Sequence, residues 1–293
     1  MNDMKYEALN VYTKKGTELT GVLFSEKKSD WLMIAITGVH GNFYSNPFYV
    51  NIGQTLNENE IDFLYAQTRD AFGQIESNNK VTGKKEIIGS FNEDFNEADN
   101  DIEAYLDFAQ KHNYHHVILA GHSLGANKVI HYLATHDDSR VDHFIFLSPA
   151  NVRYLTSYLS NAEKQEIMDK VKNGQGEEML SFSMFGWLPA KARTAEQWLN
   201  SPVIDNVHSG DAGDFSQLEN IHKTGALLIG TYDTFTEGDP SSFLKNINNH
   251  MPTKDKNQLI FIKETGHTYQ EKEQEVAEKI ASIIKNWQKE KVN

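Results

Sequence analysis

Hydrophobic residues in this chain fall into short runs, separated by longer stretches with helical spacing. Tyr6 to Thr13 and Leu19 to Phe24 read as two strands, with Lys14-Lys15-Gly16 as the hairpin turn between them. Trp31 to Thr37, Ile61 to Ala66, His116 to Ala120, His143 to Leu147, Ala226 to Ile229 and Gln258 to Ile262 are compact apolar runs, the pattern of strands covered on both faces. Between them lie amphipathic stretches. Ala98 to Gln110 puts Ala98, Ile102, Tyr105, Leu106 and Ala109 on one stripe, and Glu273 to Trp287 does the same with Val276, Ala277, Ile280, Ile284 and Trp287. Asn127 to Ala134 continues as a further helix. Short strands alternating with helices predict an α/β fold, a mainly parallel sheet with helices on both faces. The opening hairpin adds an antiparallel edge.

The rhythm fails between Asn151 and Gln217, where no sheet strand is predicted. Asn161 to Lys172 reads as a helix, Asn173-Gly174-Gln175-Gly176 breaks it, and another helix runs through Trp198. A segment of this length between two sheet strands is an insertion rather than a loop. The expected organisation is a core of residues 1–150 and 218–293 with a helical lid insertion at 151–217. Phe182, Phe185, Trp187 and Trp198 are its candidate substrate-binding residues. They either line an acyl or aromatic pocket or pack the lid onto the sheet.

One junction carries chemistry. The run Val117 to Ala120 meets Gly121-His122-Ser123-Leu124-Gly125, and a helical pattern follows. Strand, sharp turn and helix around Gly-x-Ser-x-Gly form a nucleophile elbow, which lifts the serine Oγ out of the sheet. So tight a turn leaves no room for Cβ atoms beside the serine, which accounts for the flanking glycines.

A serine needs a base within hydrogen-bond reach and a carboxylate to orient that base. On such a sheet these follow the nucleophile in the order acid, then histidine, on loops at the carboxyl ends of strands. That order selects among 41 acidic residues and 12 histidines. His267, in Gly266-His267-Thr268, is the one histidine beyond the last predicted strand. Asp233 follows the strand before it, with Glu237 and Asp239 as fallbacks on the same loop. Two backbone N–H donors are needed for an oxyanion. Leu124 supplies one, directly after the nucleophile, and Val39 in the glycine-rich Gly38-Val39-His40-Gly41 loop is the candidate for the other.

Composition narrows the partners. The net charge is −13, which disfavours nucleic acid and anionic membranes. The absence of cysteine removes disulfides, thiolate metal sites and a cysteine nucleophile. His115 and His116 are adjacent on a strand and point to opposite faces, so they are not a metal pair. No cofactor or metal is expected. Met1 to Lys15 is polar, without the apolar core of a signal peptide, and no run approaches the roughly 20 apolar residues of a membrane span. A cytoplasmic protein, monomer or homodimer, acting on a small-molecule ester is expected. Arg69 could meet an anionic substrate or form a structural ion pair.

With elbow, acid, base and oxyanion loop in order, the chain resembles the α/β-hydrolase superfamily over nearly its whole length. More narrowly, Thr37 to Phe48 and Ala120 to Ile130 are similar to the DUF1749/UPF0613-like group, related to siderophore-pathway hydrolases and, distantly, to feruloyl-type esterases. Many relatives open the oxyanion loop with His-Gly, where this chain has Thr37-Gly38. The resemblance implies a serine hydrolase without fixing its substrate. An acyltransferase or thioesterase with the same triad, or a non-catalytic binding module on this fold, are the alternatives. A haloalkane or epoxide hydrolase would carry aspartate at position 123, and a dienelactone-type enzyme usually cysteine.

Overall fold

The computed structural model describes residues 6–292; residues 1–5, which open the polar N-terminal stretch, and 293 lie outside it. The apolar runs become strands β1 (Tyr6–Tyr12), β2 (Glu18–Phe24), β3 (Trp31–Ile36), β4 (Asp62–Ala66), β7 (His116–His122), β8 (Val141–Leu147), β11 (Thr224–Gly230) and β12 (Gln258–Ile262). Together they form one eight-stranded sheet in the order β1-β2-β4-β3-β7-β8-β11-β12. β1 and β2 run antiparallel, as does β2 against β4, and from β4 to β12 all neighbours are parallel.

Continuous apolarity in the central strands reflects two covered faces. All six residues of β3 are buried, with Leu32, Ile34 and Ile36 in one apolar cluster and Trp31, Met33 and Ala35 in the other. The first cluster is completed by α2 (Ala98–Lys111), α3 (Leu124–Thr135) and α8 (Pro240–Asn249), the second by α1 (Pro47–Glu58) and α9 (Glu273–Val292). The chain runs outward from β3 to β4 on one side, while β7 lies on the other. The crevice between β3 and β7 is therefore a topological switch point, where open α/β sheets place their ligands. Registers align the carboxyl ends there, with Ile36 opposite Gly121 and His122 opposite Leu147.

Several elements differ from the sequence reading. A second hairpin, β5 (Ile75–Asn79) with β6 (Lys84–Ile88), is largely exposed and polar, so it carries no apolar alternation to betray it. Helices α1 and α8 were not read, although each starts with proline in its first turn behind Asn46 or Asp239. The insertion holds α4 (Val152–Ser157), α5 (Asn161–Lys172) and α6 (Ala192–Asn200), but it is not purely helical: β9 (Met179–Met184) and β10 (Leu188–Lys191) form a separate two-stranded ribbon. Its apolar cluster runs from Val152 to Ile204 and takes in Phe95 and Leu124 of the core. Val207, Phe215 and Leu218, the last on α7 (Ser216–Glu219), instead belong to the main core. The apolar cluster of this segment thus ends at Ile204.

Candidate active site

Ser123 sits between β7 and α3 at φ 55°, ψ −129°. That left-handed φ is rare for a residue with a side chain, and strain of this kind collects at functional turns. The turn closes because its neighbours lack side chains. A Cβ on Gly121 would lie 2.3 Å from the Gly125 carbonyl oxygen, and one on Gly125 would lie 2.4 Å from that of Ile36. Gly38 is pressed against the same turn, where a Cβ would stand 2.9 Å from Ser123 Cβ and 3.4 Å from Leu124 N. The β3 loop thus touches both the serine and the first amide of α3. Leu124 is the first residue of α3, so its N–H has no intrahelical acceptor. Neither it nor the Val39 N–H donates to another group among the described residues.

At the other side of the crevice, His267 Nδ1 and Asp233 Oδ2 are 2.9 Å apart. The Asp233 side chain is fully buried. Burial alone would raise its pKa, but the charge and hydrogen bond of His267, with the Phe235 N–H donating to Oδ1 at 2.9 Å, hold it below the ordinary carboxylate value. An ionised Asp233 accepts from Nδ1–H and leaves Nε2 as the basic nitrogen. His267 Nε2 is buried and has no hydrogen-bond partner among the described residues. Ser123 and His267 are therefore not hydrogen-bonded to each other.

Two aromatic contacts frame His267. Phe235 meets the His267 ring edge-on at 4.3 Å, and His122 lies 4.9 Å away between ring centres. His122 Nε2 is 2.8 Å from the His267 carbonyl oxygen. Burial, and then the neighbouring His267, pull the His122 pKa down to about 3, so its ring is neutral and Nε2 carries the donated proton. On the opposite wall, His40 follows Val39, bonds Ser90 Oγ through Nε2 at 2.7 Å and meets Trp187 at 5.5 Å.

A family model for serine aminopeptidase, S33, matches residues 34–173, the stretch from β3 through the elbow into the insertion. No curated protein matches the chain by sequence. Among solved structures, the complex of DcsB with its substrate analogue superposes with a TM-score of 0.68 at 14% identity, covering 96% of this chain and 99% of that one. Est1E from Butyrivibrio proteoclasticus with bound ferulic acid gives 0.64 at 17%, covering 95% and 98%. The Pyrococcus furiosus esterase Pf2001 gives 0.59 at 14%, covering 97% and 91%. Sheet order, strand directions and these superpositions agree. The chain has the α/β-hydrolase fold.

This fold brings Asp233 and His267 into direct contact and sets the Gly38 loop against Ser123 and Leu124. Glu237 and Asp239 do not pair with His267; Asp239 caps α8 through Ser242 N–H. Of the four insertion aromatics, Phe185 and Trp187 line a cleft of about 620 Å³ beside the site. Trp198 is buried against Phe95 and Phe185, and Phe182 packs at the edge of the same apolar cluster. Arg69 forms a buried ion pair with Asp101, its Nη2 2.6 Å from Oδ1, and does not face the cleft. Tyr154, Tyr158 and Phe235 line the cleft as well and escaped the sequence reading. Only proximity to Asp233 in sequence could have pointed to Phe235. Among the described residues no helix is long and apolar enough to cross a membrane.

Proposed function

We propose that this chain is a serine hydrolase that cleaves carboxylic esters through an acyl-enzyme. His267 Nε2 takes the Ser123 proton as Oγ attacks the ester carbonyl, while Asp233 holds the imidazole by Nδ1 and stabilises the cation that forms. The Val39 and Leu124 amides receive the developing oxyanion. Collapse of the tetrahedral adduct expels the alcohol, protonated by His267. Water, deprotonated by the same nitrogen, then attacks the acyl group and releases Ser123.

The observation that carries this reading is the ion pair of Asp233 and His267, with Nε2 left basic and unpartnered in the crevice beside a serine at φ 55°. Est1E, solved with bound ferulic acid, and the esterase Pf2001 share the fold and make ester cleavage the natural first assay.

The test is fluorophosphonate labelling of the wild type and of Ser123→Ala, with hydrolysis of p-nitrophenyl esters from acetate to decanoate. Labelling and turnover that both vanish in the variant establish the hydrolase. A folded wild type that is neither labelled nor active overturns it.

A further inference from the structure

The cleft beside the site has a chemistry of its own. One wall carries Tyr154 of α4 and Tyr158 just past its end, whose rings meet edge to face at 5.1 Å. The other is the tip of the β9–β10 ribbon, carrying Phe185 and Trp187. Phe235 closes the floor, on the ring of His267, while Trp187 reaches the oxyanion loop through His40. The cleft therefore lies beside the candidate centre, with one lining ring on His267 and another on His40.

Its electrostatics are one-sided. No lysine, arginine or histidine lines it, and the one ionisable carboxylate is Glu163. Arg153, on the same helix as Tyr154, lines a neighbouring cleft, where Asp205 at 3.0 Å and the Ala212 carbonyl engage its guanidinium. The aromatic rings are left open: Trp187 is 47% and Tyr158 68% exposed. Aromatic faces attract cations through their quadrupole, and a carboxylate at the same cleft adds to that attraction. The net charge of −13 concentrates cations around the whole molecule and repels anions.

We propose, resting on the hydrolase reading above, that the preferred substrates are esters of a quaternary amino alcohol, with the ammonium held in this cleft. The cation belongs to the alcohol because Phe235 starts the aromatic wall at His267, the group that hands the leaving alcohol its proton. The ammonium packs against Trp187, Tyr154 and Tyr158, within the field of Glu163.

The experiment compares acetylcholine with 3,3-dimethylbutyl acetate, which replaces the trimethylammonium group by tert-butyl and keeps the shape. The choline ester is expected to have a kcat/KM about tenfold higher, the ratio that a partly desolvated cation–π contact gives. That ratio falls towards one in Trp187→Leu and in Glu163→Gln. A second measurement does not depend on turnover: choline and 3,3-dimethylbutanol are titrated into Ser123→Ala, followed by tryptophan fluorescence, and choline binds more tightly. Equal or better binding and turnover of the neutral compounds, with Ser123 labelled, overturns the cation site and leaves the hydrolase standing. Selective choline binding without labelling of Ser123 supports the cation site and overturns the hydrolase.

Discussion

His122 donates its Nε2 proton to the main-chain carbonyl of His267 across 2.8 Å, so the residue before Ser123 fixes the loop that carries His267. Because His122 stays neutral, this bond persists across the physiological pH range. His122→Leu removes the donor and leaves the base free to drift. A misplacement of about 1 Å is enough to lower kcat ~10–100-fold. KM is expected to change little. His122→Gln carries an N–H to nearly the same point and recovers most of the rate. Steady-state kinetics of both variants check this, and a parallel loss in the two variants would refute it.

Asp233→Asn keeps the shape of the loop and removes the charge. The amide cannot hold His267 in the tautomer that leaves Nε2 basic, and kcat is expected to fall ~10³–10⁴-fold. Circular dichroism and denaturation should match those of the wild type. A loss below tenfold would show that another group orients the base.

Gly125→Ala would place a methyl group 2.4 Å from the Ile36 oxygen and 2.6 Å from that of Thr37. Backbone on both sides leaves no soft neighbour to yield. The variant is expected to lose about 3 kcal/mol or more of stability, or to fail to fold. Gly174→Ala is the control. It has φ 77° but nothing within 4 Å of the new methyl, so only the left-handed backbone opposes it, at roughly 1–2 kcal/mol. Urea midpoints of the two variants decide the point.

Beneath the junction of insertion and core, Lys128 on α3 pairs with both Asp70, at 2.9 Å, and Glu93, all three buried. Burial first, and then the Asp70 charge, push the Glu93 carboxyl up to about 8, against the pull of Lys128 and Arg69. Its pKa is thus higher in the folded chain than in the unfolded one. The folded state binds the extra proton, so the contribution to stability is full below the ordinary glutamate range and is lost as pH rises towards about 8. In Glu93→Gln this dependence disappears. Denaturation at pH 5.5, 7 and 8.5 should show a decline in the wild type that is shallower in the variant. Parallel curves would refute the shift.

What was legible in the chain follows from how locally each feature is encoded. Gly121, Ser123 and Gly125 mark the elbow because sterics at adjacent positions demand them. The contact of Asp233 with His267 could be anticipated because strand order dictates which loops reach the crevice. The Ile75–Asn79 hairpin was hidden by its exposure, since a strand with little buried surface needs no apolar period. The ribbon at Met179–Met184 was missed because Leu180, Phe182 and Met184 alternate for so few residues that the aromatics read as lining. Trp198 and Trp187 illustrate the limit. Both are tryptophans of the insertion, yet one is core and the other faces the cleft, and only the folding of α6 against Phe95 separates them.

Leu124 has two allegiances. Its amide lies at the elbow, facing the Gly38 loop, while its side chain is embedded in the apolar cluster of the insertion. Whatever rebuilds that cluster also acts on the amide that would receive the oxyanion. Grafting a foreign insertion onto this sheet to change specificity would therefore alter turnover as well. Diversification that leaves the rate intact should be confined to Trp187 and Tyr158, which line the cleft, are exposed and lie outside the cluster that holds Leu124.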